Sequence, residues 1–331
     1  MRTPFLIGGM LLAAAPALAN DTTAELTTGG LTFVQTGDIT MAEENLFLSR
    51  SQVKVDYVFI NNSGKDVEST IAFPMPDVTG GSESDLDYGD PEADNFLGFS
   101  VVQDGKPIKP ELQQRVFAGD IDRTDELLAA KIPLLPYSDK TSAALKKLPQ
   151  DVKDRFVAEG LARVDEYDAG QGWQKDLTPA WTLRSAYWWK TTFPAGKPVK
   201  VSHRYKPSVG GTVAMAFIEN GKPAYDYKDY VSRYCIDADF MKTAAKLEAK
   251  QKAGGPNYYE QWLSYILTTG ANWSGPIGKF KLTIDKGKPQ DFVSFCGKGV
   301  KKVGPTTFEM SATDFTPEKD MHVLFLTAAA E

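Results

Sequence analysis

Hydrophobic and polar residues alternate from Val53 to Pro76, and this pattern predicts two β-strands. In the first half, VKVDYVF, every second residue is hydrophobic, as in a strand that buries one face. The NNSG that follows favours a tight turn. VESTIAF then alternates again until Pro74 and Pro76 remove backbone donors. We therefore predict a β-hairpin.

The same alternation recurs later in the chain. Residues 181–205, WTLRSAYWWKTTFPAGKPVKVSHRY, predict a second aromatic hairpin, with a Gly-containing turn after Phe193-Pro194. From Phe280 onward the segments FKLTI, DFVSF, TFEMSA and MHVLFLT predict further strands between turn signals. Two hairpins of similar size and several short strands are typical of a β-sandwich.

Helical periodicity replaces this alternation in two places. Between about residues 119 and 165, the segments DELLAAK, SAALKKL and PQDVKDRFVAEGLARV predict a helical insertion within a β domain. Residues 237–252, DADFMKTAAKLEAKQK, predict an amphipathic helix that ends at Gly254 and Gly255. Residues 259–269, YEQWLSYILTT, fit either a helix or a strand.

These elements predict a mainly β, β-sandwich-like fold of two domains with a helical insertion in the first. The chain has 331 residues, which is more than one hydrophobic core usually serves. We predict an N-terminal domain at 20–225, carrying the insertion at about 119–165. A C-terminal β-rich domain with one helix and a disulfide follows at 226–331.

The first residues, MRTPFLIGGMLLAAAPALAND, predict a signal peptide. Arg2 precedes a short apolar core, and Ala17-Leu18-Ala19 fits a cleavage site after Ala19, which gives a signal peptide of residues 1–19. An N-terminal membrane anchor is the alternative, but the apolar run falls short of the roughly 20 residues that a spanning helix needs. We expect a soluble periplasmic protein without a transmembrane segment.

Net charge and cysteine content further limit which functions and which chemistry the sequence supports. The formal net charge is −6 and lysine and arginine are spread along the chain, so nothing indicates nucleic-acid binding. Cys235 and Cys296 are the two cysteines, and in an exported chain a disulfide between them is expected. Two free buried thiols and a redox pair are the alternatives.

Several stretches together resemble a known family. They are DITMAEENLFLS, VKVDYVFINNSGKDV with FPMPD, IPLLP, YWWKTTFPAGKPVKVSHRYKPSVGG, and YILTTGANWSGPIGKFKLTI followed by SFCGKG. This combination resembles an exported family of Gram-negative bacteria, domain of unknown function 4424. The resemblance implies a periplasmic, β-rich protein. It supplies no catalytic residues, because the family has no established reaction.

Histidines and acidic residues are the first candidates for chemistry. His203 and His322 lie in strand-like runs without a Gly-x-Ser-x-Gly elbow, so a packed structural role is favoured over a catalytic one. The acidic loop after residue 80 offers oxygen ligands that suit Ca²⁺, although its spacing departs from the EF-hand pattern and a solvated loop is the alternative. The loop carboxylates are Glu83, Asp85, Asp87, Asp90, Glu92 and Asp94.

Tryptophans are the candidates for ligand binding. Adjacent side chains of a strand point to opposite faces, so not all of Tyr187-Trp188-Trp189 can enter one core, and an exposed ring could stack on a sugar or contact a partner. Covering of these rings by the helical insertion is the alternative. The candidate ligand-binding residues are Trp173, Trp181, Trp188 and Trp189, with Glu166 and Asp168 close by in sequence.

The sequence favours a non-enzymatic binding or envelope-associated protein and leaves its ligand unknown. Its partner would be an envelope protein or a glycan. The alternative is a hydrolase that uses carboxylates on cell-wall or other glycans. A third hypothesis is docking of another envelope component along the edge of a strand of the first hairpin.

Overall fold

The computed structural model describes residues 22–27, 30–81, 87, 89–168, 170 and 172–329. The predicted signal peptide and residues Glu83 and Asp85 lie outside these ranges. In the described part of the chain, no helix is long and apolar enough to cross a membrane.

Most of the described residues lie in strands. The N-terminal strands are β1 (Thr22–Thr27), β2 (Gly30–Val34), β3 (Ile39–Ser49), β4 (Val53–Asn61), β5 (Val67–Pro74), β6 (Val78–Thr79), β7 (Ser100–Gln103), β8 (Lys106–Ile108), β9 (Glu111–Ala118), β10 (Ile121–Asp122), β11 (Ala162–Asp168), β12 (Trp173–Pro179), β13 (Thr182–Phe193) and β14 (Pro198–Tyr205). The strands that follow are β15 (Gly210–Gly211), β16 (Ile218–Glu219), β17 (Lys222–Pro223), β18 (Tyr258–Tyr265), β19 (Ile277–Asp285), β20 (Phe292–Phe295), β21 (Lys301–Lys302), β22 (Thr307–Phe315) and β23 (Met321–Ala328).

The helices lie in two groups. They are α1 (Thr124–Ala129), α2 (Asp139–Lys146) and α3 (Gln150–Ala158), then α4 (Tyr227–Tyr234), α5 (Ala238–Lys252) and a 3-10 helix (Thr268–Asn272). The first group confirms helices in the predicted insertion, but its bounds were wrong: α3 ends at Ala158, and residues 162–165, predicted as helix, begin β11. The amphipathic pattern at 237–252 is confirmed as α5, although α4 precedes it where one helix was predicted. The ambiguous segment at 259–269 forms β18 and the start of the 3-10 helix.

Two large sheets pack face to face around one hydrophobic core. The eight-stranded sheet has the order β21-β22-β19-β3-β4-β14-β7-β8, and the other has the order β10-β9-β13-β5-β1-β2 with β6 beside β13. Ring centroids of Phe59 and Phe193 lie 6.0 Å apart across the layers, and those of Phe73 and His203 lie 5.1 Å apart. The fold is therefore mainly β, as predicted.

The two hairpin predictions were wrong. β4 pairs with β3 and β14, whereas β5 pairs with β13 and β1, so the arms of Val53 to Pro76 lie in different sheets. β13 and β14 are divided between the sheets in the same way. Alternation shows which residues face the core, but it does not show which strands pair. Both segments therefore pass from one layer to the other.

Asn61 connects the two segments that pass from one sheet to the other. Its side chain is fully buried, and its Nδ2 donates to the carbonyl oxygens of Lys65 at 2.8 Å and Phe193 at 2.7 Å. Its Oδ1 accepts from the backbone N–H of Ser63 at 2.9 Å. The turn residues predicted to close a hairpin thus fix one crossing against the other.

A four-stranded sheet, β15-β18-β23-β20, forms a further layer. Val323 and Phe325 on one face enter the main core, while Leu324 and Leu326 on the other pack with residues of α4 and α5. Strands from before and after residue 225 belong to the same sheets, because β19 pairs in parallel with β3, and β15 pairs with β18. The division into two domains remains a prediction.

Candidate binding surface

A two-stranded hairpin stands apart from the main sheets and carries the most exposed tryptophan among those predicted to bind ligand. Among the described strands, β11 and β12 pair only with each other, and their register places Asp168 opposite Trp173 at the tip. Asp168 Oδ1 accepts from the backbone N–H groups of Gly170 at 2.8 Å and Gly172 at 3.1 Å. These bonds fix Gly170 and Gly172 relative to Asp168, and Trp173 beside them is 76% exposed.

A groove of about 360 Å³ separates this hairpin from α2 and α3. Its apolar lining comes from Val157 of α3, Val164 of β11 and Leu177 of β12, and the last two are cross-strand partners. Val157 and Val164 are exposed to 39% and 47%. Because alternate residues of a strand share a face, Trp173 lies on the same side of β12 as Leu177. We call the cavity lined by Val157, Val164 and Leu177 the hairpin–helix groove; Trp173 lies beyond this lining, further along the same face of β12.

Charged side chains surround the apolar lining. Lys146 Nζ lies 3.2 Å from Asp176 Oδ2, and the Tyr167 hydroxyl donates to the same oxygen at 2.8 Å. The hydrogen bond from Tyr167, and then the Lys146 cation, lower the pKa of Asp176. Lys175 and Glu166 form an ion pair of 2.6 Å. The groove therefore combines an apolar surface with fixed charges, as ligand-binding sites do.

The structure brings Glu166, Asp168 and Trp173 together on one face of the hairpin. Glu166 lies opposite Lys175 and Asp168 opposite Trp173, two residues further along each strand. Both carboxylates are exposed, and each is already engaged, Glu166 with Lys175 and Asp168 with the loop amides. Such engagement suits positioning of the strands and the tip better than proton transfer.

The remaining candidate tryptophans have different surroundings. Trp181 is fully buried and its Nε1 donates to the carbonyl oxygen of Leu134 at 2.8 Å. Trp189 is 4% exposed and its Nε1 donates to Gln103 Oε1 at 3.3 Å. Trp188 points to the opposite face of β13 and is half-buried. In this conformation, Trp173 and Trp188 are the candidates with ring surface open to a ligand.

The described carboxylates of the acidic loop mostly bond to protein groups. Glu92 Oε1 accepts from the backbone N–H of Asp139 at 2.7 Å, at the N-terminus of α2, and Asp87 forms an ion pair of 2.6 Å with Lys206. Asp90 accepts from the N–H of Glu92 at 3.0 Å. Among described residues, no three His, Cys, Asp or Glu side chains are grouped to hold a metal. Calcium binding, which would also draw on Asp94, stays a prediction.

The predicted disulfide is confirmed. Cys235 and Cys296 are bonded, with their Cα atoms 5.0 Å apart.

His322 lies on β23 of the four-stranded sheet. Its Nδ1 is 2.8 Å from Ser264 Oγ on the neighbouring strand β18. Burial, and then the Arg233 cation, lower the pKa of His322.

Sequence reasoning missed the groove itself. Val157, Val164 and Leu177 are single hydrophobic residues in otherwise polar segments, so their patterns gave no sign that they converge. The available signal was weak: ARVDEYD and WQKDLTP are polar on both faces for strands of a protein with a large core. Such strands predict a projecting element rather than part of the sandwich.

The family model described as "Domain of unknown function (DUF4424)" matches residues 19–324. The chain belongs to this family. A comparison with curated proteins found no significant match.

Two solved structures share a distant likeness with this member of the DUF4424 family. A Legionella pneumophila protein, provisionally described as nutrient binding, aligns with 15% identity and a TM-score of 0.44 over 93% of this chain and 70% of its own. A mutant M1 zinc metallopeptidase from Deinococcus radiodurans, bound to a Tyr-Ser-Ala substrate, aligns with 6% identity and a TM-score of 0.27 over 88% of this chain and 43% of its own. Scores this low carry no argument about function.

Proposed function

We propose that this chain is a periplasmic, non-enzymatic binding protein that holds an envelope component, a glycan or a protein, in the hairpin–helix groove. The observation that carries the proposal is Trp173, which is 76% exposed next to the tip of the hairpin. Removing so much apolar surface from water on binding is favourable, and tryptophan loses little conformational entropy when it is held.

The groove adds a second apolar contact and hydrogen-bonding groups to the surface that Trp173 offers. Val157, Val164 and Leu177 offer a second apolar contact, and the lysines and aspartates around them offer hydrogen bonds. A sugar ring and an amphipathic protein segment both present an apolar face bordered by polar groups. Either would contact Trp173 with that face and the charged rim with its polar groups.

Trp173→Ala tests this proposal. Muropeptides from digested peptidoglycan serve as the glycan probe and detergent-free envelope protein extract as the protein probe. Titration of the purified mature chain is followed through the indole N–H resonances. We expect the Trp173 resonance to shift in one of the two titrations and the affinity to fall about tenfold or more in Trp173→Ala, as for a buried aromatic anchor.

Tyr225→Ala is the matched control, because Tyr225 is a fully exposed aromatic residue away from the groove. It should leave the affinity unchanged. If neither probe shifts the Trp173 resonance, or if both variants weaken binding equally, the groove is not the binding site.

A glycan hydrolase is the second candidate function, supported by the position of Glu166 and Asp168 beside Trp173. Retaining and inverting glycosidases both use two carboxylates at the scissile bond. Release of muropeptides or oligosaccharides from purified peptidoglycan is the measurement. Turnover that disappears in Glu166→Gln and Asp168→Asn would replace the non-enzymatic proposal, whereas absence of turnover in the unmodified protein removes the enzyme.

A further inference from the structure

The outer edge of β22 is open along much of its length. β22 pairs with β19 on one side from Thr307 to Phe315. On its other side it pairs with β21 at Glu309 and Phe308 alone. In the part of the chain that the structure describes, no further backbone group bonds to residues 311–315 outside the β19 ladder. The ladder with β19 has no pair at Asp314, whose φ is +49°, so the regular extended part of this edge is Ser311–Thr313. There, alternate N–H and C=O groups face outward without a strand partner among the described residues.

Side chains beside this edge leave room for another chain. Ser311, Thr313 and Asp314 are exposed, and none of these three is a bulky residue. On the inner side of β22, a depression of about 490 Å³ lies on the sheet face over β3, β19 and β22, where Ser311 and Thr313 form part of its lining.

The charge around the edge is positive, although the whole chain carries −6. Lys298, Lys301 and Lys302 are exposed in the loop and strand that precede β22. Lys279 and Lys281 follow on β19, and they pair with Glu43 at 2.9 Å and with Glu309 at 2.8 Å. The repulsion from Lys302 also contributes, after burial, to a lowered pKa of Lys286. Asp314 on β22 is itself an exposed carboxylate, but together with Glu43 and Glu309 it is outnumbered by these lysines, so a partner at this edge would still meet an excess of cations.

We propose that an extended acidic segment of a partner protein adds to the eight-stranded sheet as a short strand beside Ser311–Thr313. Backbone hydrogen bonds to the open edge would hold the segment, and its carboxylates would lie near Lys298, Lys301 and Lys302. Lysines can also keep sheet edges from pairing with one another. Here the lysines lie on the neighbouring strand and loop, while Ser311–Thr313 include no lysine and no proline.

This interface is separate from the hairpin–helix groove and is tested with its own probes. A short fluorescein-labelled peptide of alternating Glu and Thr is titrated with the full mature chain and followed by anisotropy. Two further peptides carry Lys in place of Glu, or methyl groups on alternate backbone nitrogens of the Glu–Thr sequence. Hydrogen exchange of the amides of residues 311–313 is measured with and without the first peptide.

We expect the Glu–Thr peptide to bind and to slow exchange at residues 311–313, while the other two peptides bind weakly or not at all. The paired change Lys301→Glu and Lys302→Glu should lower the affinity about tenfold or more, because it reverses the local charge. The control is the paired change Lys106→Glu and Lys109→Glu, which alters exposed cations at the other end of the same sheet. It should leave the affinity for the Glu–Thr peptide unchanged.

Three results would overturn the proposal. The first is no binding of the Glu–Thr peptide. The second is equal binding of the N-methylated peptide, which would mean adsorption of polyanions without strand pairing, as for an anionic glycan. The third is binding that both lysine pairs weaken alike.

Discussion

His203 is an ionisable side chain that the fold keeps uncharged in its core. Burial lowers its pKa to about 3, and the nearby Asp56 carboxylate opposes this only in part. Its imidazole lies among aromatic rings at centroid distances of 5.1 to 5.6 Å, those of Tyr57, Phe73, Phe99 and Trp189. Such surroundings agree with the packed role expected from sequence.

Acid should therefore destabilise the protein through His203. The unfolded chain binds a proton at this histidine below about pH 6.5, whereas the folded chain does so only near pH 3. Stability from the neutral imidazole is thus complete above pH 6.5 and is lost as the pH falls. By linkage, unfolding free energy should drop by about 3 kcal/mol between pH 7 and pH 4 from this group alone.

Urea unfolding of the native protein and of His203→Gln at several pH values checks this expectation. Glutamine is polar but does not titrate, so the difference between the two proteins should shrink by that amount as the pH falls. A difference that stays constant between pH 7 and pH 4 would show that His203 does not titrate as described.

At the scale of elements, α4 is a short helix fastened at several points. The disulfide joins Cys235, just after its last residue, to the end of β20. Ser294 Oγ donates to the carbonyl oxygen of Tyr234 at 2.9 Å, and the Tyr230 hydroxyl donates to Glu260 at 2.6 Å. Because α4 has only eight residues, it would be marginal as a helix without these contacts.

Replacing both cysteines by serine should therefore loosen α4 before anything else. The disulfide closes a loop with a sequence separation of 61. Chain entropy for such a loop sets an upper value of about 4 kcal/mol on the loss of unfolding free energy. Hydrogen exchange should increase most at Tyr227–Tyr234. The amides of β11 and β12, far from the bond in the fold, are the internal control, and equal increases there would contradict a local role.

At the scale of the molecule, the eight-stranded sheet draws strands from both sides of residue 225. β19 covers one edge of β3, and Phe280, Leu282 and Ile284 on β19 belong to the same core as β3 and β4. A chain cut at residue 225 would leave that edge and much of that core in water.

A fragment of residues 20–225 should consequently fail to fold, although two domains were predicted from sequence. We expect broad, poorly dispersed amide resonances and rapid proteolysis of the fragment, and a single calorimetric transition for the mature full chain. A fragment that unfolds cooperatively with dispersed resonances would instead establish an independent N-terminal domain.

Strand positions and buried faces could be predicted because each depends on neighbouring residues. The alternation in β4 and β14 and the helical pattern of α5 are local, and the structure reproduces them. Pairing depends on distant partners: nothing near Val53 reveals that β4 and β5 separate into two sheets, or that β3 meets β19. The groove was missed for the same reason, because Val157 and Leu177 meet only after α3 and the hairpin fold together.

The parallel contact between β3 and β19 also sets the order in which the protein can fold. Glu43 and Lys279, which form an ion pair across these strands, are 236 residues apart. Bringing such distant segments together costs about 5 kcal/mol of loop-closure entropy, so ribosomal synthesis must deliver most of the chain before the sheet can close. Until then β3 presents an unpaired edge to solvent. Folding should be slow, and newly made chains should depend on chaperones that shield this edge.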